Sequence, residues 1–159
     1  MLKVLFVCYG NICRSPMAEF LFKKYVKAKG FADVFYIESA ATSSEELGNP
    51  VYPPAKKILG DLNIDCSGKR ARKLTLNDYD KFDYLIGMDE MNIRDMKNLF
   101  GGDKDGKIYR LLDFADNSMR KDVADPWYTH DFETTKRDII FGIDSFYKYL
   151  KESGNLSGC

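Results

Sequence analysis

Residues 3 to 16 read KVLFVCYGNICRSP. An unbroken apolar run ends in a cysteine, Cys8. A short polar stretch carrying Arg14 follows, and Ser15-Pro16 then opens a helical pattern. A strand without polar alternation expects cover on both faces, as in a parallel sheet. A strand that hands over to a helix within a few residues begins a β-α unit. The same stretch holds a thiol nucleophile, a guanidinium and a helix start.

Chemistry follows from that coincidence. A free cysteine has a pKa of about 8.5, so only a few per cent is thiolate at neutral pH. Helix N-termini and nearby arginines lower a thiol pKa to roughly 3.5–7.5. A three-unit shift corresponds to about 4 kcal/mol of preferential thiolate stabilisation. The residues between Cys8 and Arg14 can curl so that backbone N–H groups point inward around a tetrahedral oxyanion. Gly10 and Asn11 tolerate the positive φ of such a curl. Ser15 is a suitable N-cap and Pro16 a suitable first helical residue, and the helix dipole favours a bound dianion. No Gly-Lys-Ser/Thr follows and no G-x-G-x-x-G is present, so neither a nucleotide P-loop nor a dinucleotide fingerprint applies. The pattern points to a phosphate monoester, with Cys8 attacking phosphorus. A lone cysteine at a strand end is otherwise a small buried hydrophobe.

Outward from this stretch, strands and helices alternate. Residues 16 to 29 place Met17, Phe20, Leu21, Tyr25 and Ala28 on one helical face, and Gly30 ends that helix. VFYIE (34 to 38) reads as a second strand, Pro53-Pro54 opens a helix to about Leu59, and DYLIGM (83 to 88) is a third strand. Residues 90 to 99 are helical, KIYRLL (107 to 112) is a shorter fourth strand, and a last helix runs from about Phe132 to Lys151. The alternation predicts an α/β fold, a doubly wound parallel sheet with helices on both faces. Sites in such sheets lie at the carboxyl ends of strands, where Cys8 stands.

Composition narrows the function classes. The chain has 159 residues, with 24 basic and 24 acidic ones, so one domain over 1–159 is expected. A net charge of zero argues against nucleic-acid and membrane-surface binding. No signal-peptide pattern or membrane-length apolar stretch is present. Cys8, Cys13, Cys66 and Cys159 form no C-x-x-C pair, and His130 is the only histidine. A structural zinc site is therefore not expected, and reduced thiols in the cytoplasm are.

VCYGNICRSPMAE (7 to 19) resembles the signature of the low-molecular-weight protein tyrosine phosphatases. ESAATSSEELGNP (38 to 50), FDYLIGMDEMN (82 to 92) and ADPWY (124 to 128) resemble that family's segments in the same order. The resemblance implies a three-layer fold with four parallel strands ordered 2-1-3-4. It implies metal- and cofactor-independent hydrolysis of phosphotyrosine proteins through a phosphocysteine, with phosphate as product and inhibitor. Asp125 is then the general acid for the departing phenolate, held beside Pro126 and Trp127 where desolvation raises a carboxyl pKa. A protonated acid beside an ionised thiol predicts a bell-shaped profile with an acidic optimum. Residues Tyr9, Gly10, Asn11, Ile12, Cys13 and Arg14 form the phosphate loop, with Arg14 gripping two oxygens bidentately. By resemblance, Ser15 donates to the Cys8 thiolate, and Asn11 and Ser39 brace the loop. Tyr9, Trp127 and Tyr128 are the expected walls of the substrate slot.

Some positions depart from the family pattern. Glu45 stands where relatives often carry an aromatic residue; it is either an acidic rim favouring basic peptides or an ordinary solvated side chain. Lys69 falls where many relatives have a histidine facing the aspartate that matches Asp89, so a Lys69–Asp89 contact is the expected substitute. The run Lys69, Arg70, Arg72 and Lys73 reads as a solvated face. Cys13, within the same curl as Cys8, is the candidate resolving thiol for an oxidised nucleophile.

Two other function classes compete. A thiol oxidoreductase of the arsenate-reductase type uses the same fold but needs a closely spaced relay pair of cysteines, and only Cys66 and Cys159 remain, far apart in sequence. A non-catalytic phosphotyrosine-binding module would be expected to lack Cys8 or Asp125, and both are present.

Overall fold

The computed structural model describes residues 1–115 and 121–156; Cys159 lies outside the described residues. Strands β1 (Leu2–Cys8), β2 (Phe35–Ala41), β3 (Tyr84–Gly87) and β4 (Ile108–Arg110) alternate with helices. The helices are α1 (Arg14–Ala28), α2 (Pro53–Asp61), α3 (Asn77–Lys81), α4 (Glu90–Phe100), α5 (Pro126–Thr129) and α6 (Phe132–Glu152). The four strands form one parallel sheet in the order β2-β1-β3-β4. The doubly wound α/β architecture and its strand order match the expectation.

Strand β1 lies at the centre because both of its faces are apolar. Val4, Leu5, Phe6 and Val7 are all fully buried. Val4 and Phe6 face a cluster with Phe22 of α1 and Phe146 of α6. Leu5 and Val7 face Phe82, Leu85 and, from α4, Ile93 and Met96. Each such large side chain contributes roughly 1.5–3 kcal/mol on burial. The sheet is thus covered on both sides, which fixes β1 and holds its carboxyl end, with Cys8, at the top of the core.

Three local expectations need correction. The inward face of α1 is Met17, Ala18, Leu21, Phe22 and Val26, while Phe20 and Tyr25 are only partly buried and Ala28 is exposed. Helix α1 starts at Arg14, with Cys13 as an N-cap that makes no side-chain capping bond; Ser15 is already inside the helix, so its hydroxyl is free for other use. Strand β4 stops at Arg110, and Leu111–Phe114 turn into a 3-10 helix. The reason is packing: Leu111 and Leu112 are fully buried, and Leu111 meets Gly142 of α6. Gly30 does follow α1, at φ 84°, with Phe31 N–H returning to Val26 O at 2.8 Å. Among the described residues no helix is long and apolar enough to cross a membrane.

Candidate active site

The loop after β1 curls back over the N-terminus of α1. Asn11 takes the left-handed conformation, φ 59°, while Gly10 does not. At Gly10 a Cβ would stand 3.3 Å from Glu46 Cγ, so a larger residue there would make that side chain give slightly. The curl carries the Cys8 sulfur to 2.9 Å from Ser15 Oγ, and the Asn11 backbone N–H donates to the sulfur at 3.3 Å. Backbone bonds from Thr42 N–H to Cys8 O (3.0 Å) and Ser43 N–H to Tyr9 O (3.1 Å) extend the β1–β2 pairing into the loop.

A buried chain of hydrogen bonds supports this curl from behind. Asn11 Oδ1 accepts from Arg72 N–H at 3.1 Å, which orients the amide. Its Nδ2 then donates to Ser39 Oγ (2.9 Å) and to Ser15 Oγ (2.8 Å). The Ser39 hydroxyl donates to Glu19 Oε1 at 2.6 Å. Because Ser15 Oγ already accepts from Asn11, its own hydrogen is free to point at the Cys8 sulfur.

Glu19, buried to 4 % exposure in the middle of α1, is the residue that sequence reading misses. With Lys23 four residues on it looks like a surface helix pair, and the Glu19–Lys23 contact is indeed present at 2.6 Å. Its second cation is Lys69, at 3.5 Å, whose Nζ also donates to Ser39 O at 2.9 Å. Burial lowers the Lys69 pKa, and the Glu19 charge opposes that shift. The expected Lys69–Asp89 contact is therefore replaced by Lys69–Glu19. The basic run is not one solvated face either: Lys69 is tucked under the loop, and Arg72 grips Asp78 through both guanidinium nitrogens (3.0 and 3.2 Å).

Asp89 is held by Arg14 instead, at 2.8 Å. Asp89 also caps α4, accepting from Asn92 N–H while the Asn92 side chain answers the Asp89 N–H. The Arg14 guanidinium donates further to Val123 O at 3.3 Å and reaches Asp125 Oδ2 at 3.4 Å. Burial works against the Arg14 charge, but Cys8, Asp89 and Asp125 outweigh it and raise its pKa. Asp125 is the N-cap of α5, with Oδ1 accepting from Trp127 N–H at 3.0 Å.

These groups open onto one cavity of about 810 Å³. The whole stretch from Cys8 to Arg14 lines it, with Glu45, Asp125, Trp127 and Tyr128. Ser15 and Ser39 are buried behind the loop. Trp127 and Tyr128 are 68 % and 80 % exposed, so they stand at the mouth and not in the depth. Glu45 accepts from the Tyr9 hydroxyl at 2.8 Å, so it belongs to the rim and is tied to a wall. That bond, with burial second, raises the Tyr9 pKa. Two further walls, Tyr52 and Phe132, stack at 6.1 Å between ring centres. His130 is exposed, in a left-handed conformation at the end of α5. Cys66 is buried in the core cluster, away from the residues lining this cavity.

A sulfur at a helix N-terminus, a guanidinium and a carboxyl thus share one cavity whose size suits a small aromatic group carrying an anion. A family model described as low molecular weight phosphotyrosine protein phosphatase matches residues 3–155. The chain is 37 % identical over 156 residues to the low molecular weight protein-tyrosine-phosphatase YfkJ of Bacillus subtilis, covering 98 % of this chain and all of that one (100 %). It is 35 % identical to the PtpA enzyme of Staphylococcus aureus, covering 98 % of both. The crystal structure of YfkJ superposes with a TM-score of 0.92 over 96 % of each chain. A low molecular weight protein tyrosine phosphatase from Streptococcus pyogenes, 41 % identical, superposes at 0.81 over 96 % of this chain and 93 % of that one. The chain belongs to the low molecular weight protein tyrosine phosphatase family.

Proposed function

We propose that the protein hydrolyses phosphotyrosine in proteins, and small aryl phosphates, through a phosphocysteine on Cys8. The single observation that carries this reading is the convergence of Cys8, Arg14 and Asp125 on one cavity, with Ser15 Oγ 2.9 Å from the sulfur. The Cys8 thiolate attacks phosphorus and the P–O bond to the aryl group breaks. Asp125 gives its proton to the departing phenolate oxygen. Water then attacks the phosphocysteine, losing its proton to the Asp125 carboxylate, and the sulfur leaves as thiolate. The Ser15 hydroxyl donates to that thiolate, and Arg14 with the loop N–H groups holds the equatorial oxygens. Arg14 is pre-placed by Asp89, and Asn11, Ser39 and Glu19 keep the loop curled.

Substrates on this reading are phosphotyrosine proteins, and the compartment is the reducing cytoplasm, where Cys8 stays a free thiol. The thiol-oxidoreductase alternative has no support in the family assignment. The test is p-nitrophenyl phosphate turnover in EDTA, with Cys8→Ser as the second arm. Full activity in chelator, abolition in Cys8→Ser and inhibition by vanadate are expected. Loss of activity with EDTA alone, or turnover persisting in Cys8→Ser, rules the mechanism out.

A further inference from the structure

Two buried side chains of α6 reach the residue that precedes Asp125. Ala124 N–H donates to Asp138 Oδ2 at 2.9 Å, and Ala124 O accepts from Thr135 Oγ1 at 2.8 Å. Thr135 is fully buried and Asp138 is 4 % exposed. At this spacing the two lie on one face of the helix. Val123, one residue earlier, is held from the other side. Its N–H donates to Met88 O at 2.9 Å and its C=O accepts from Arg14 at 3.3 Å. Both backbone groups of both residues leading into Asp125 are therefore engaged, by the end of β3 and Arg14 on one side and by α6 on the other.

Buried backbone polar groups need partners wherever they occur, so satisfaction alone explains some acceptor and some donor here. Three observations go further. The bonds fall on the peptide groups next to the acid, where an error in backbone direction is carried straight to the carboxyl. A helical threonine can bond back to the carbonyl four residues earlier. Here that contact, to Asp131 O, is the longer one at 3.4 Å, so the hydroxyl is committed to Ala124. The base of the clamp is also rigid. Helix α6 buries Ile139, Ile143, Phe146 and Leu150, and Gly142 seats it directly on Leu111.

We propose that Thr135 and Asp138 are positioning residues for the general acid, fixing the Ala124 peptide groups on α6 and so setting the reach of the Asp125 carboxyl. This inference rests on Asp125 being that acid. Misplacing a catalytic group by about 1 Å can cost 10²-fold in rate. The loss should fall on the step that needs the proton, protonation of the leaving group, and spare the phosphate loop.

The test compares kcat/KM on phenyl phosphate, whose leaving group needs a proton, with p-nitrophenyl phosphate, whose leaving group does not. Thr135→Val and Asp138→Leu should lose about 10- to 100-fold on phenyl phosphate and markedly less on p-nitrophenyl phosphate. Inhibition by inorganic phosphate should stay within about twofold, since the loop is intact. Asp138→Asn keeps an oxygen that accepts from Ala124 N–H and should retain most of the rate. Thr135→Val added to Asp125→Ala should cost nothing more. Asp125→Ala alone separates the two readings: equal losses on both substrates overturn the acid assignment itself. If Asp125→Ala is leaving-group-selective but Thr135→Val and Asp138→Leu lose equally on both substrates, or lose nothing, the clamp is structural and the inference fails. Should Asp138→Leu not fold, the near-isosteric Thr135→Val decides the matter by the same comparison.

Discussion

Asn11 links the Cys8 loop to the core through one side chain. Its amide oxygen is pinned by Arg72 N–H and its two amide hydrogens serve Ser15 and Ser39. The pattern of donors and acceptors then runs one way, from Asn11 through Ser39 to the Glu19 carboxylate, which only accepts. Lys69 stands at the end of this line. Lys69→Met leaves Glu19 with Lys23 as its remaining cation and deprives Ser39 O of its donor. A loss of about 1–3 kcal/mol is expected, since a buried polar partner is orphaned, read as a lower urea midpoint. An unchanged midpoint would mean that desolvation of the buried pair offsets its attraction, so that Lys69 adds no net stability. Cys13 supports a second expectation. Burial first, and then the Cys8 charge, push its thiol up to about 12, so Cys13 stays protonated at neutral pH. Once peroxide has oxidised Cys8 to sulfenic acid, attack of the Cys13 sulfur on the oxidised sulfur forms the disulfide and releases water. Peroxide inactivation should reverse with dithiothreitol in the parent and stay largely irreversible in Cys13→Ser. Equal recovery in both would show that Cys13 is not the resolving thiol. That Cys8, Arg14 and Asp125 belong to one candidate site was legible, because their types and order fit the proposed chemistry, and the fold brings all three to one cavity. Glu19 and Lys69 were not, because only the fold turns Glu19 inward from a helical Glu–Lys pair and brings the distant Lys69 to it.

At the level of elements, the long periodic segments read well. Strand β1 and helices α4 and α6 lie where the apolar pattern places them. The short helices α3 and α5 carry too few residues for a period to show. Individual side-chain bonds hold them instead, Arg72 to Asp78 in α3 and the Asp125 cap of α5. The end of β4 was misjudged for a related reason: two leucines extend an apolar run in sequence, but contact with α6 turns them out of the sheet. That contact gives a prediction in which two effects oppose each other. Gly142 lies inside α6, where alanine is favoured over glycine by about 1 kcal/mol. A Cβ there would come within 2.5 Å of Leu111 Cγ. Overpacking of this kind costs about 1–3 kcal/mol. Gly142→Ala should therefore destabilise the protein by up to about 2 kcal/mol, the difference of these two ranges. Urea unfolding measures it; a gain in stability would mean that Leu111 moves aside without cost.

Across the whole molecule, the sheet order places the carboxyl ends of β1 and β3 side by side, and the two loops that matter, after β1 and before α5, meet above them. The sequence pattern supplied the parallel class; the strand order needed the family resemblance, because alternation alone does not say which strands are neighbours. An enzyme expected to work in mild acid must also keep this frame folded there. Asp103 ties the segment between α4 and β4 together, accepting from the Tyr79 hydroxyl at 2.6 Å, Lys107 N–H at 2.8 Å and Ile108 N–H at 3.1 Å. Burial tends to raise its pKa, but these donors outweigh it and hold the carboxyl below its usual value of 3.8. The folded state thus binds the proton less readily than the unfolded chain. Its stabilisation is complete above about pH 4 and is lost as pH falls through the depressed folded value. Asp131 and Asp144 are shifted the same way, Asp131 mainly by Thr134 and Asp144 mainly by Tyr25. None of the three changes charge between pH 5 and 7, so a decline in rate across that range does not come from these three carboxylates. Asp103→Asn keeps the shape and loses the charge. It should melt below the parent at pH 6, with the gap narrowing as pH drops under about 4, where the parent carboxyl also becomes neutral. Calorimetry from pH 2 to 7 on both proteins makes the comparison. A gap that persists undiminished to the lowest pH would show that the loss comes from the asparagine NH2 facing a donor where the parent has an acceptor oxygen, and not from the missing charge.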